Sequence, residues 1–314
     1  MMSWSRVTLW CSLFFTHVAL YGISSVGAEL PEEVTFQVFV AFDNVLHTAF
    51  SNPSKAQKYA IVFFNANNLI FREMTNPRIK FEVVMFHQQM VPFTLKALVL
   101  EDNEVNATAS LPKAAAHTSK LPQFNLSDII FIMSGRKVFS KGNVNKDYYP
   151  PGLTAAGEIC NRNRRVVIVR DIGKRFEALP NAGFQLARLL GAPTSCTIYY
   201  YKLSGNLWLF KLTDCHMNAI RDNLKKLVKK DPVGTRQCFV KRYTRSLSSY
   251  IKDLPSSLVS PQQICKEHKG EKWGEPYDKN LCMVNVRLNK PSRQPCSDYY
   301  RPPKRRMLFS LLLQ

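Results

Sequence analysis

An α/β domain built around a mixed sheet is the fold this sequence predicts, and three observations carry that prediction. Asp128 to Ser134 (D-I-I-F-I-M-S) is an unbroken apolar run, suited to a strand covered on both faces. Strand-like and helix-like stretches are interspersed along the first two hundred residues rather than gathered into separate halves. Another strand-like run, Arg165 to Asp171, is followed by a helix from about Pro180 to Leu190, with a proline near its first turn and Gly191 as its stop.

In chain order, Val34 to Phe42 (V-T-F-Q-V-F-V-A-F) alternates as a strand does, with Phe36, Val38 and Val40 on one face. Asn52-Pro53-Ser54 opens a long helix running to about Met74, and Asn76-Pro77 breaks it. Lys80 to Phe86 reads as a second strand and Leu95 to Leu100 as a third. Residues 101 to 127 are polar and read as a surface excursion. After Cys196, Tyr199 to Tyr201 and the apolar stretch Asn206 to Leu212 precede a helix from about Met217 to Val228. From Asp231 onward the chain is basic and rich in prolines, and it reads as a small, loop-rich, cysteine-containing module.

The first 28 residues carry the marks of a secretory signal: Arg6, an apolar stretch from Val7 to Tyr21, and the small residues Val26-Gly27-Ala28. Neither this stretch nor Met307 to Leu313 reads as a bilayer-spanning helix, which needs roughly 20 apolar residues. A mature chain from Glu29 would keep 42 basic residues against 23 acidic, an excess of 19. Such a charge draws a protein to anionic surfaces, and outside a cell these are sulfated glycans, anionic lipid or acidic proteins rather than nucleic acid. Seven cysteines follow the signal: Cys160, Cys196, Cys215, Cys238, Cys265, Cys282 and Cys296. In an oxidising compartment they are disulfide candidates, with one left over. Two glycosylation sequons, at Asn106 and Asn125, fit the same compartment.

The helix ending at Gly191 has the frame of a zinc-protease helix, H-E-x-x-H-x-x-G-x-x-H, without its ligands. The ligand positions hold Phe184, Arg188 and Thr194, the general-base position holds Gln185, and the turning glycine is Gly191. At about 100° per residue, Phe184 and Arg188 fall within about 40° of each other, while Leu186, Leu189 and Leu190 lie on the opposite side. The expectation is that 184 and 188 face a cleft and the leucines face the core.

Flanking segments extend the likeness. Asn65 to Pro77 is similar to a first helix and its exit, Ser127 to Gly135 to a central strand and turn, and Leu153 to Cys160 to the approach to a first disulfide cysteine. Val166 to Asp171 stands at the matching distance ahead of the helix, and Thr213 to Ile220 resembles a closing cysteine and helix. As an ordered set over residues 33 to 230 these resemble the reprolysin (adamalysin) branch of metzincin zinc proteases, especially the secreted forms of tick saliva. The resemblance implies a metzincin-like, twisted mixed sheet with long helices. It divides the chain into a signal (1–28), a protease-like domain (29–232) and a basic cysteine-containing tail (233–314).

The sequence departs from that family where its chemistry resides. Phenylalanine offers no lone pair, arginine stays protonated and repels Zn²⁺, and Thr194 is a poor substitute for imidazole. Gln185 takes no proton from water. No zinc or other cofactor is therefore expected, although zinc is the family's metal. No pro-domain-like segment stands between the signal and the first strand, and no methionine occupies the turn after Thr194. The function this implies is a catalytically inactive, secreted pseudoprotease that binds an extracellular or host protein. Two other functions compete with it. One is an active zinc metalloendopeptidase with a non-standard site; the other is a polyanion-binding protein using Arg221, Lys225, Lys226, Lys229 and Lys230.

Overall fold

The computed structural model describes residues 29–87, 96–125, 127–141, 152–173, 175–204, 207–239, 246–249 and 251–258. Residues 1–28, where a secretory signal is expected, the residues beyond 258, and with them Cys265, Cys282 and Cys296, lie outside these.

Five strands form the main sheet: β1 (Glu33–Phe42), β2 (Arg78–His87), β5 (Ile129–Ser134), β7 (Gly152–Thr154) and β8 (Val166–Arg170). Their order is β2-β1-β5-β8-β7, parallel except for β7, which runs antiparallel to β8 at the edge. The sheet is thus mixed, as the sequence indicated. The run of apolar residues in β5 has the cause proposed for it: all six residues are buried, between β1 and β8. β1 divides its side chains by parity. Phe36, Val38 and Val40 enter one core layer, while Phe39 and Ala41 enter the other.

The larger layer is covered by α2 (Pro53–Phe71) and α4 (Leu179–Leu189). Asn52 caps α2 by accepting from the Lys55 amide at 2.9 Å. Between β1 and α2, the short α1 (Asn44–His47) is capped by Asp43, whose Oδ1 accepts from the Leu46 amide at 2.7 Å.

The other layer corrects the sequence reading. Residues 101 to 127 are not a surface excursion. β3 (Leu100–Glu101), β4 (Glu104–Asn106) and β6 (Val138–Phe139) make a small sheet, and α3 (Ala107–Ser119) covers the second core with Ala107, Ala114 and Ala115. Alanine is the best helix former but a weak hydrophobic signal, so the buried stripe at 107, 110, 114, 115 and 118 does not stand out as an apolar pattern.

Asn106 stands at the start of this helix. This sequon residue is only 2% exposed. Its Oδ1 caps α3 through the Ala109 amide, and its Nδ2 donates to Glu101 Oε1 at 2.7 Å. The nitrogen that would carry a glycan is enclosed in the fold. Asn125 stands half-buried.

Past α4 the chain forms an antiparallel hairpin, β9 (Tyr199–Ser204) and β10 (Leu207–Lys211), then α5 (Asp214–Lys230) and α6 (Pro232–Phe239). Packing continues beyond residue 232. Cys238 and Phe239 join the main core, and Leu247, Ile251 and Leu258 rest against it. Asn65 Nδ2 on α2 holds the carbonyls of Ile251 and Asp253 at 3.0 and 2.9 Å. Two disulfides, Cys160–Cys238 and Cys196–Cys215, span 78 and 19 residues. In the chain-entropy description, loops of those lengths correspond to about 4.5 and about 3 kcal/mol.

Candidate functional site

The turn from β8 into α4 is fixed by one buried carboxylate. Asp171 Oδ1 accepts from the Gly173 amide at 2.6 Å and the Tyr59 hydroxyl at 2.7 Å, and Oδ2 accepts from the Ala178 amide at 3.0 Å. Tyr59 Oη accepts in turn from the Phe176 amide at 2.9 Å, and the two rings stack with centroids 4.1 Å apart. Phe176 holds a φ of +56°, a strained conformation for a bulky residue that these contacts retain. Burial pushes the Asp171 carboxyl up while its amide and hydroxyl donors pull it down. Burial and the neighbouring Asp171 charge raise Tyr59 well above the usual phenol range, so Tyr59 keeps its proton and remains the donor. Tyr59 and Asp171, 112 positions apart, were not singled out in the sequence; no spacing pattern links them.

This turn aims α4 through the interior. Leu179, Ala182, Gly183, Phe184, Gln185, Leu186, Ala187 and Leu189 are all buried, so the helix has no open face along these turns. A Cβ on Gly183 would lie 2.6 Å from Ile70 of α2 and 3.1 Å from Phe210 of β10, so a side chain there would force the elements apart.

The five motif positions are distributed as follows. Phe184 is 1% exposed and meets Phe210 edge-to-face at 5.8 Å. It belongs to the same core cluster as Leu186, Leu189 and Leu190. The expected division into a cleft face and a core face is therefore corrected: the β9–β10 hairpin supplies a second apolar wall that a helical projection alone does not show. Arg188 is half-buried, with its guanidinium carbon 6.0 Å from the Phe184 ring centroid, at the outer limit of a cation–π contact. Gln185 is buried beside edge strand β7. Its Nε2 donates to the Gly152 carbonyl at 3.2 Å, and its Oε1 has no hydrogen-bond partner among the described residues. Thr194 is exposed on the following loop.

Gly191 has a conformational role of its own. Its φ is +113°, its amide donates to the Arg188 carbonyl, and a Cβ there would lie 2.4 Å from the Asn223 Cβ. Asn223, on α5, donates to the carbonyls of Leu190 at 3.0 Å and Gly157 at 3.2 Å. The glycine both ends α4 and lets α5 approach.

These residues do not fit a metal. Phe184 has no donor atom, Gln185 offers a neutral amide, and no group of three histidine, cysteine or acidic side chains able to hold an ion occurs among the described residues.

The basic candidates follow on α5. His216, fully buried, lies at its N-terminus: Nδ1 is 2.7 Å from Thr213 Oγ1 and accepts from the Thr213 amide at 3.3 Å. Burial lowers its pKa, which favours the neutral ring, and the Thr213 amide takes Nδ1 as its acceptor. Arg221 is tied down, with Nε donating to the Asn76 carbonyl at 2.6 Å and Nη1 to Asn218 Oδ1 at 2.8 Å. Lys225, Lys226, Lys229 and Lys230 are exposed. Beside the end of α5 lies a cavity of about 440 Å³ whose lining includes the Cys160–Cys238 disulfide, Arg162, Arg165, Lys230 and Asp231. Nothing in the sequence marked this cavity, because the pairing of Cys160 with Cys238 that creates its wall was one option among many.

No family model matches the sequence, and no curated protein matches it. A solved structure described as "Structure of a chaperone-substrate complex" superposes with a TM-score of 0.38 at 13% identity, over 63% of this chain and 36% of that one. The chain spans about a third of that neighbour's length. What fold and site define together is a mixed α/β protein with a helix buried through its core and two disulfides.

Proposed function

We propose that the chain is a secreted pseudoprotease, a reprolysin-like scaffold that acts by binding an extracellular or host protein. The observation that supports this best is Phe184. At the position of the first zinc-ligating histidine of the motif stands a phenyl ring buried against Phe210, which fills the space and offers nothing to a metal. Gln185 supports it as well: at the base position, its amide is engaged by the Gly152 carbonyl rather than held ready for water. The order of elements also supports the reading, since a strand, a locked turn, a helix and a glycine stop follow one another as in the motif. Without ligands and base, neither a zinc-bound hydroxide nor carbonyl polarisation is supplied.

The test is metal content and proteolysis measured on one purified sample. The expected result is substoichiometric zinc together with no chelator-sensitive cleavage of casein or gelatin. Tightly held zinc at one equivalent, with chelator-sensitive cleavage, would overturn the proposal in favour of an active metalloendopeptidase.

A further inference from the structure

The last two turns of α5 hold four lysines in six residues, and nothing described in the fold uses their charge. Taking the buried Leu224 as the core direction, Lys225, Lys226, Lys229 and Lys230 span about 100° to 240° away from it at 100° per residue. They project to solvent, while Ile220, Leu224 and Val228 face the core. Eight ion pairs form among the described residues, and none includes these lysines. None of the four donates a hydrogen bond to a described residue either.

Asp231 and Glu158 keep their charge near them but form no ion pair with any of the four. Asp231 Oδ1 accepts from the Gly234 amide at 2.8 Å, and Glu158 is held by Arg164 at 3.2 Å and Asn161 at 2.9 Å. Asp222 is the one exposed acid on the same arc, a turn earlier. Lys225–Lys229 and Lys226–Lys230 are like-charged i,i+4 pairs, each costing a few tenths of a kcal/mol, which the helix dipole at this end partly offsets. Local stability therefore gives little reason for so many.

Lys230 reaches the cavity beside the disulfide, and exposed Arg162 lines the same cavity from the loop after Cys160. Arg162 and Lys230 thus line one cavity, which Asp128, Glu158 and Asp231 line as well. We propose that Lys225, Lys226, Lys229 and Lys230 with Arg162 form a binding track for a sulfated glycan. Along the helix, Lys225 and Lys229 are about 6 Å apart, so the track presents a repeating row of cations suited to a linear polyanion. A lipid surface would favour aromatic anchors among the lysines. Among the described residues, the exposed aromatics Tyr199, Tyr200 and Trp208 belong instead to the hairpin that joins α5 at its opposite end. The surface stands apart from α4 and is independent of the fate of the protease motif.

The test uses the full chain and measures its affinity for heparin oligosaccharides across a series of salt concentrations. Binding should weaken steeply with salt. Replacing Lys225, Lys226, Lys229 and Lys230 with alanine should lower affinity at least tenfold and flatten the salt slope, and adding Arg162→Ala should lower it further. A control variant removes the same charge elsewhere, at the exposed Lys55, Arg72, Lys120 and Lys252, and should lose under threefold. Chemically desulfated heparin and anionic vesicles should bind more weakly than heparin. An equal loss in the control variant, an unchanged affinity in the α5 variant, or vesicle binding as tight as heparin binding would overturn the proposal.

Discussion

α4 and α5 are both amphipathic in sequence, and both carry residues singled out as a site, yet the fold treats them in opposite ways. α4 enters the core between α2, β10 and edge strand β7, and what a helical projection marks as its second face is filled by Phe210 and the Gly152 carbonyl. α5 lies across the end of α4, anchored by Asn223, and leaves its polar face in water. The pattern along a helix says which residues share a face. What that face meets depends on elements elsewhere in the chain. Arg188 and Arg221 make the same point individually: one lies near a phenyl ring, the other donates to the Asn76 carbonyl of a neighbouring loop and to Asn218 on its own helix.

The sharpest way to break this contrast is Phe184→Ala. With the ring fully buried, denaturant unfolding should show a loss of about 3–5 kcal/mol. A loss below about 1 kcal/mol would mean that position 184 faces open space after all. Next in size, Gly191→Ala should cost about 2 kcal/mol or more, combining a left-handed backbone with a Cβ pressed on Asn223. A near-neutral result in the same assay would place α5 farther from α4.

The pH dependence of His216 is a smaller effect. Burial lowers its folded pKa below the unfolded value near 6.5, so its contribution is present above that pH and lost as pH falls through the folded value. Protonated Nδ1 no longer accepts from Thr213, and the loss should approach that of a helix cap, about 1 kcal/mol. Unfolding curves at pH 7.5 and pH 5 should therefore differ more for the native chain than for His216→Gln. Smallest of all, Lys225→Ala and Lys229→Ala should change stability by less than about 0.5 kcal/mol in either direction. A larger loss would assign those lysines a structural contact.

Much of the fold was legible along the chain because its signals are local. The apolar run at 128–134, the break at Asn76-Pro77, and the Pro180 to Gly191 punctuation each reflect covalent geometry or burial on both faces. The helix 107–119 was not, because its buried stripe is alanine, serine and threonine, and because a sequon at Asn106 argued for the surface. Of the candidate site, the absence of metal-donor side chains at 184, 185 and 188 was plain from residue type. The lysine cluster was plain as well, but not that Arg221 is engaged elsewhere while Arg162 lies across the cavity. The Tyr59–Asp171 lock joins residues 112 positions apart, a pairing that no local pattern encodes.

The sequence by itself determined the alternation of strands and helices, the basic balance, and the absence of histidine and carboxylate side chains at 184, 185 and 188, since each follows from residue identity and short-range order. Only the tertiary structure decided that Phe184 is walled in by the hairpin, that Cys160 meets Cys238, and that four lysines remain in solvent beside a cavity. Those outcomes depend on which distant segments converge, and a contact between them is fixed by packing in three dimensions rather than by spacing along the chain.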